Sequence, residues 1–244
     1  MAASKGDLMT TIGLIGGMSW ESTAVYYRLL NEGVRARAGG LHSADVLLHS
    51  IDFSPIAEMQ AQGDWAAAGA ALAESARRLE RAGASCLLLC TNTMHKVADP
   101  IIAATMLPFL HLADVTARAV LASAARRPLL LATRFTMEQG FYRDRLRAFG
   151  VEALVPRPGE RDEVHRIIYE ELCRGEVKPA SRERYRAIVE RAVREEGADG
   201  VILGCTEITL LVSQADFSVP VFDTTALHVA AALDFASEAE SVAA

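Results

Sequence analysis

The sequence lacks any long apolar run, and that absence sets the first boundary. None of its apolar stretches approaches the ~18 residues a membrane-crossing helix requires. Met1 to Gly17 holds one lysine and a short apolar stretch around Ile12 to Ile15, too short for a signal-peptide core, so the expectation is a cytoplasmic chain. Basic residues are also scarce. Twenty-five Lys and Arg stand against 31 Asp and Glu, a net charge of −6, which leaves neither a nucleic-acid footprint nor a basic face for an anionic membrane. Cysteine is sparse too, with four residues (Cys86, Cys90, Cys173, Cys205), no C-x-x-C, and too low a density for a disulfide-stapled fold. On a strand Cys86 and Cys90 would lie ~13 Å apart, beyond bridging distance. Free thiols are therefore expected.

Two further motifs are missing. Gly13-Leu14-Ile15-Gly16-Gly17 is not G-x-G-x-x-G, and no acidic residue follows at dinucleotide spacing in a clear second strand. The C-x₄-H from Cys90 to His95 is a poor ligand spacing, so no metal is expected.

What is present is a duplicated pattern. Half of the 244 residues are apolar, enough for a sizeable core. The run Leu87-Leu88-Leu89 stops at Cys90-Thr91-Asn92-Thr93-Met94-His95, and Val201-Ile202-Leu203-Gly204-Cys205-Thr206-Glu207 repeats it. Each copy follows a charged helical segment ending in Gly-Ala (83–84 and 197–198). In the first round, strands are expected at 11–17, 44–52, 85–89 and 107–112, with helices opening near Ser19 or Ser22 and spanning 65–82. Pro55 ends the second strand, and Pro100 limits the helix after Cys90. In the second round, strands are expected at 128–132, 151–155, 201–203 and 219–222, and helices at 137–147, 163–174 and 181–196. A last helix over 225–236 should return to the first domain. Strand-helix alternation of this kind implies parallel sheets with right-handed crossovers, and the duplication implies an α/β protein of two similar Rossmann-like domains related by a pseudo-two-fold. The expected domains are 1–116 plus 224–244, carrying Cys90, and 117–223, carrying Cys205.

Ligands in such sheets bind beyond the carboxyl ends of the strands, where both Cys-Thr pairs fall. The pseudo-two-fold would set the two thiols across one interdomain cleft. A cysteine at a strand end just before a helix favours thiolate. One thiolate and one thiol on opposite faces of a carbon acid can remove a proton and return one to the far face, inverting the centre. Asn92, Thr93 and Thr206 are nearest to hold a substrate carboxylate and to stabilise the developing enediolate. His95 could steer the Cys90 proton, with Glu207 in the corresponding place of the other half. Cys86 and Cys173 read as packing residues, and His49, His111 and His228 as structural histidines.

Three segments, Gly13-Leu-Ile-Gly-Gly-Met-Ser-Trp-Glu-Ser22, Leu89-Cys-Thr-Asn-Thr-Met-His-Lys96 and Gly204-Cys-Thr-Glu-Ile208, in this order and duplication, resemble the cofactor-independent aspartate/glutamate racemase superfamily over essentially the whole chain after Met9. The resemblance is strongest to its aspartate/glutamate and broad-specificity amino-acid racemases. It implies two catalytic cysteines, here Cys90 and Cys205, no pyridoxal phosphate or other cofactor, a small amino-acid substrate and a homodimer. It also implies substrate-carboxylate contacts at Asn92, Thr93 and Thr206, and a cleft-lining first glycine loop at Met18, Ser19 and Trp20. Thr133, with Arg134 and Thr136, occupies the equivalent loop of the second domain. Lys178 resembles a lysine that aspartate racemases use on the side-chain carboxylate. The arginine some aspartate racemases carry after the second strand has no counterpart in Asp52-Phe53-Ser54-Pro55-Ile56, and Asp52 could instead meet an ammonium group. Two alternatives stay open: maleate isomerase-like chemistry within the same superfamily, and a non-catalytic module that binds a small dicarboxylate.

Overall fold

The computed structural model describes residues 10–243, with side chains described through 238, so the first nine residues of the expected first domain lie outside the described residues. The chain divides into two compact units. Over the described residues, one is 10–90, 97–110 and 229–243; the other is 91–96 and 111–228. The architecture is α/β with two parallel sheets, as the duplication predicts, each of three strands rather than the four expected.

In the first unit, β1 (Ile12–Gly16) lies between β2 (Val46–Ser50) and β3 (Cys86–Leu89). Gly16 is level with Ser50 and Ile15 with Leu89, so the three strands end at one edge. β1 and β3 are buried throughout, which is why they read as unbroken apolar runs rather than alternating ones. α1 (Trp20–Ala38) buries Tyr26, Leu30 and Val34, spaced four apart on one face. α2 (Phe53–Gln62) is capped by Asp52, and α3 (Trp65–Ala82) closes on Gly83 in the left-handed conformation. A 3₁₀ turn (Thr93–Val97) and the short α4 (Ala98–Ile102) follow β3. α11 (Thr224–Ala243) starts in the second unit, and from Val229 it belongs to the first. There Val229, Ala232 and Leu233 join Tyr26, Leu30 and Leu88 in the core, as the last helix was expected to do.

The second unit carries β4 (Leu129–Ala132), β5 (Val201–Gly204) and β6 (Val221–Asp223) in the order β4-β5-β6. Its helices are α5 (Leu112–Ala122), α6 (Arg134–Glu138), α7 (Gly140–Ala148), α8 (Pro158–Glu170), α9 (Pro179–Glu196) and α10 (Ile208–Leu211). Leu129 to Leu131 and Val201 to Leu203 form the centre of its core with Tyr142, Tyr185 and Ile188.

Several expected elements differ. Residues 107–112 give a single bridge, Leu87 to Phe109, because Pro108 has no N–H to extend the ladder and His111 turns to cap α5. Residues 151–155 likewise give one bridge, Leu129 to Leu154, just before Pro156. The expected 137–147 helix is two helices, because Gln139 is extended (φ −84°, ψ 138°). The 163–174 helix begins earlier, at Pro158, and ends at Glu170. α2 was not anticipated: Pro55 ends no more than the approach to it and sits in its first turn, where a missing N–H costs nothing. Pro100 stands in the same way in α4. Among the described residues no helix is long and apolar enough to cross a membrane.

Candidate active site

The carboxyl edge of the first sheet collects three of the expected segments. Gly17 follows β1 with φ +96°, and a Cβ there would collide with the backbone of Ile51, so only glycine permits this turn. The Gly17 N–H donates to Thr23 Oγ1 at 2.9 Å, and that hydroxyl donates to the Ser19 carbonyl at 3.0 Å, which fixes the loop. Ser19 caps α1 by accepting from the Ser22 N–H at 3.3 Å. Met18 is buried, whereas Trp20 is 67% exposed. Asp52 follows β2 and caps α2, accepting from the Ser54 N–H at 3.1 Å. Cys90 follows β3; its N–H donates to the Ile15 carbonyl at 2.9 Å and its side chain is buried.

The second unit holds the residues after Cys90 together with the strand ends of its own sheet. Thr224, at the exit of β6, donates to the Leu203 carbonyl at 2.9 Å and accepts from Asn92 Nδ2 at 3.2 Å. Since the hydroxyl's single proton goes to Leu203, the amide orientation of Asn92 is set, and its buried Oδ1 has no partner among the described residues. The hydroxyls of Thr93, Thr133 and Thr136 form a triangle with edges of 3.3 to 3.4 Å. Lys96 Nζ donates to Gln139 Oε1 at 2.6 Å.

At the end of β5, Cys205 Sγ donates to Glu207 Oε2 at 2.9 Å, and Thr206 donates to the same oxygen at 3.0 Å. Burial raises the Cys205 thiol well above its ordinary value, and the Glu207 carboxylate raises it further. Burial alone raises Cys90. Where a helix start was expected after Cys90 the chain makes a 3₁₀ turn, and a four-residue helix follows Cys205, so neither sulfur stands before a helix long enough for a strong dipole. Burial thus favours the protonated form of both groups.

His95 is buried, its Nδ1 lies 2.7 Å from the Thr91 carbonyl, and its Nε2 accepts from the Leu112 N–H at 3.2 Å. Both ring nitrogens thus bond backbone. Lys178 stands at the start of α9 with Nζ 2.9 Å from Glu176 and 3.9 Å from Glu171, and the Glu176 hydrogen bond raises its pKa first. Cys86 is buried, with its thiol pushed up to about 12 by desolvation, and Cys173 is exposed.

Thr224 was missed by the sequence reading. The signal existed, because Asp223-Thr224-Thr225 repeats the apolar-run-to-polar exit of the other strands. Among the described residues no group of three or more His, Cys, Asp or Glu is arranged to hold a metal ion.

Comparison with known proteins identifies the fold and the family. A solved structure of a candidate Asp/Glu racemase from Yersinia pestis is 53% identical, covers 94% of this chain and 100% of its own, and superposes with a TM-score of 0.89. An aspartate racemase homologue from Pyrococcus horikoshii is 36% identical over 94% of this chain and all of its own, with a TM-score of 0.86. A broad-specificity amino-acid racemase of Bacillus subtilis is 21% identical over 88% of this chain and 93% of its own length. The profile of the Asp/Glu/Hydantoin racemase family matches residues 15–232. With strand-end cysteines in both halves and that match spanning nearly the whole chain, this protein belongs to the Asp/Glu/Hydantoin racemase family, a family of isomerases.

Proposed function

We propose that the protein is a cofactor-independent amino-acid racemase that interconverts the enantiomers of aspartate or glutamate with Cys90 and Cys205 as its two bases. The observation that carries this reading is the Cys205 thiol donating to Glu207 at 2.9 Å. A thiol so placed can pass its proton to the carboxylate and become the base, while Cys90, which no carboxylate is seen to hold, starts as the proton donor. Cys205 then removes the α-proton from one face, Cys90 delivers a proton to the other, and the roles reverse for the opposite enantiomer.

Asn92, Thr93, Thr133 and Thr206 are the proposed contacts of the substrate's α-carboxylate and ammonium groups. Met18, Ser19, Trp20, Asp52 and Lys178 are proposed for the remainder of the substrate. The hydroxyl triangle of Thr93, Thr133 and Thr136 supports a carboxylate contact there, because three neighbouring hydroxyls can turn their protons together toward an anion. The names of the relatives in Yersinia, Pyrococcus and Bacillus support an amino acid as substrate.

The test is α-proton exchange in D₂O over a panel of L- and D-amino acids. Aspartate or glutamate should exchange α-hydrogen for deuterium as it racemises, and Cys90→Ser and Cys205→Ser should each lower the rate by a factor on the order of 10³ or more. Full activity in both variants would sink the two-thiol mechanism. Conversion of maleate to fumarate without amino-acid exchange would favour the isomerase alternative.

A further inference from the structure

We infer that His95 is a positioning residue for Cys90: a neutral imidazole that pins the Thr91 carbonyl to the first turn of α5 and does not carry the thiol's proton. This rests on the reading of Cys90 as one of the two bases. The tautomer follows from the partners. A backbone N–H can only donate, so the nitrogen facing Leu112 N, Nε2, must present its lone pair. A carbonyl can only accept, so the nitrogen facing Thr91 O, Nδ1, must carry the proton. With Nε2 accepting and Nδ1 donating, His95 has no position left for the Cys90 proton. What it does hold is the peptide that links Cys90 to Asn92 and Thr93.

The surroundings keep this ring neutral. Edge-on against it lie His111, with centroids 4.7 Å apart, and His228 at 6.0 Å. His111 Nδ1 accepts from the Ala113 N–H at 3.2 Å and lies 3.8 Å from Asp114, which Arg145 of α7 holds by two hydrogen bonds of 2.5 and 2.9 Å. Burial first, then His111, His228 and the Arg145 charge, disfavour a second proton on His95. A proton on Nε2 would also set N–H against the Leu112 N–H and open the clip.

Two substitutions separate the roles. His95→Gln supplies a neutral donor and acceptor with no basicity; His95→Leu supplies neither. If His95 positions, the Gln variant keeps most of kcat, while the Leu variant loses about a hundredfold, the scale of a ~1 Å misplacement of a reacting group. If His95 carries the proton, both variants fall together, and the inference is overturned. Nitrogen-15 NMR of the unmutated protein provides a second reading should the Leu variant not fold. Nδ1 should be the protonated nitrogen and the ring should not titrate near neutrality; a proton on Nε2, or titration near neutral pH, would equally overturn it. Full activity of Cys90→Ser in the same assay would instead remove the base reading and leave the tautomer result standing.

Discussion

The two cysteine strand ends share a backbone plan and differ in what meets the sulfur. Cys90 and Cys205 each close a buried four-residue strand of a three-stranded parallel sheet, and each precedes a threonine. At Cys205 a carboxylate sits within hydrogen-bonding distance of the thiol. At Cys90 burial sets the thiol's proton affinity, and the ionisable group five residues on, His95, is committed to the backbone. The lesson is that duplication keeps what the main chain dictates, since parallel strands end where their ladder ends, while side-chain chemistry diverges at the first residue free to change. Asn92-Thr93-Met94-His95 and Glu207-Ile208-Thr209-Leu210 are the two outcomes.

Glu207→Gln breaks this comparison most directly. Gln keeps an oxygen for the thiol and for Thr206 but has no basicity. General-base assistance is worth roughly 10²- to 10⁴-fold, so kcat/KM should fall by about a hundredfold or more. The equilibrium constant between enantiomers is one, which obliges kcat/KM to fall equally in both directions; kcat measured from each enantiomer is free to diverge, and should, because only one direction begins at Cys205. Progress curves from both enantiomers measure this. An unchanged kcat/KM would mean that Glu207 serves only as a hydrogen-bond acceptor.

Much of this contrast was legible in the sequence, and the illegible part has a physical cause. The fully buried strands were plain as apolar runs, and α3, with apolar positions on one face and Gly83 after it, was legible to the residue. The bridges at Phe109 and Leu154 were mistaken for strands because local pattern does not reveal that Pro108 and the capping role of His111 cut pairing short. α2 escaped because proline stops a helix in its interior but fits its first turn. At the site, both cysteines and the Asn92-Thr93 pair stood out from their position in the pattern. The role of Thr224 did not, because its bond to Asn92 spans 132 residues of sequence. The short turn after Cys90 escaped for a related reason: where a helix starts and how deeply a thiol is buried are properties of the packed chain, and burial raises both thiols.

Thr224→Val sharpens the Cys90 side of the comparison. Valine matches the shape but removes the donor to Leu203 and the acceptor for Asn92 Nδ2, leaving both groups buried without that partner. The cost is about 1–3 kcal/mol of stability. Asn92 also loses what orients its amide, so KM should rise by up to about tenfold, equivalent to ~1.4 kcal/mol of binding, with a smaller change in kcat. Urea unfolding and steady-state kinetics check the two parts. A loss of stability with KM unchanged would remove Asn92 from the substrate contacts.

Asp114→Asn should have the smallest effect and separates the imidazole clip from the ion pair beneath it. Burial opposes the charge on Asp114, yet the Arg145 hydrogen bonds, with His111, Arg145 and Arg118 nearby, hold its carboxyl below the ordinary aspartate value in the folded protein. A carboxylate with a depressed folded pKa contributes stability that is present above the unfolded value and disappears as pH falls through the folded one. The variant should therefore be less stable at neutral pH by a few tenths to ~1 kcal/mol, the range for a pair whose arginine is partly exposed. The gap should close as pH falls below the ordinary carboxylate range. Because His95 bonds to the Thr91 and Leu112 main chain, kcat at neutral pH should hardly move. Parallel urea titrations across that range, with kcat measured at neutral pH, test both statements. A large drop in kcat with little loss of stability would mean that the Asp114–Arg145 pair, not the main-chain clip, sets the geometry behind Cys90.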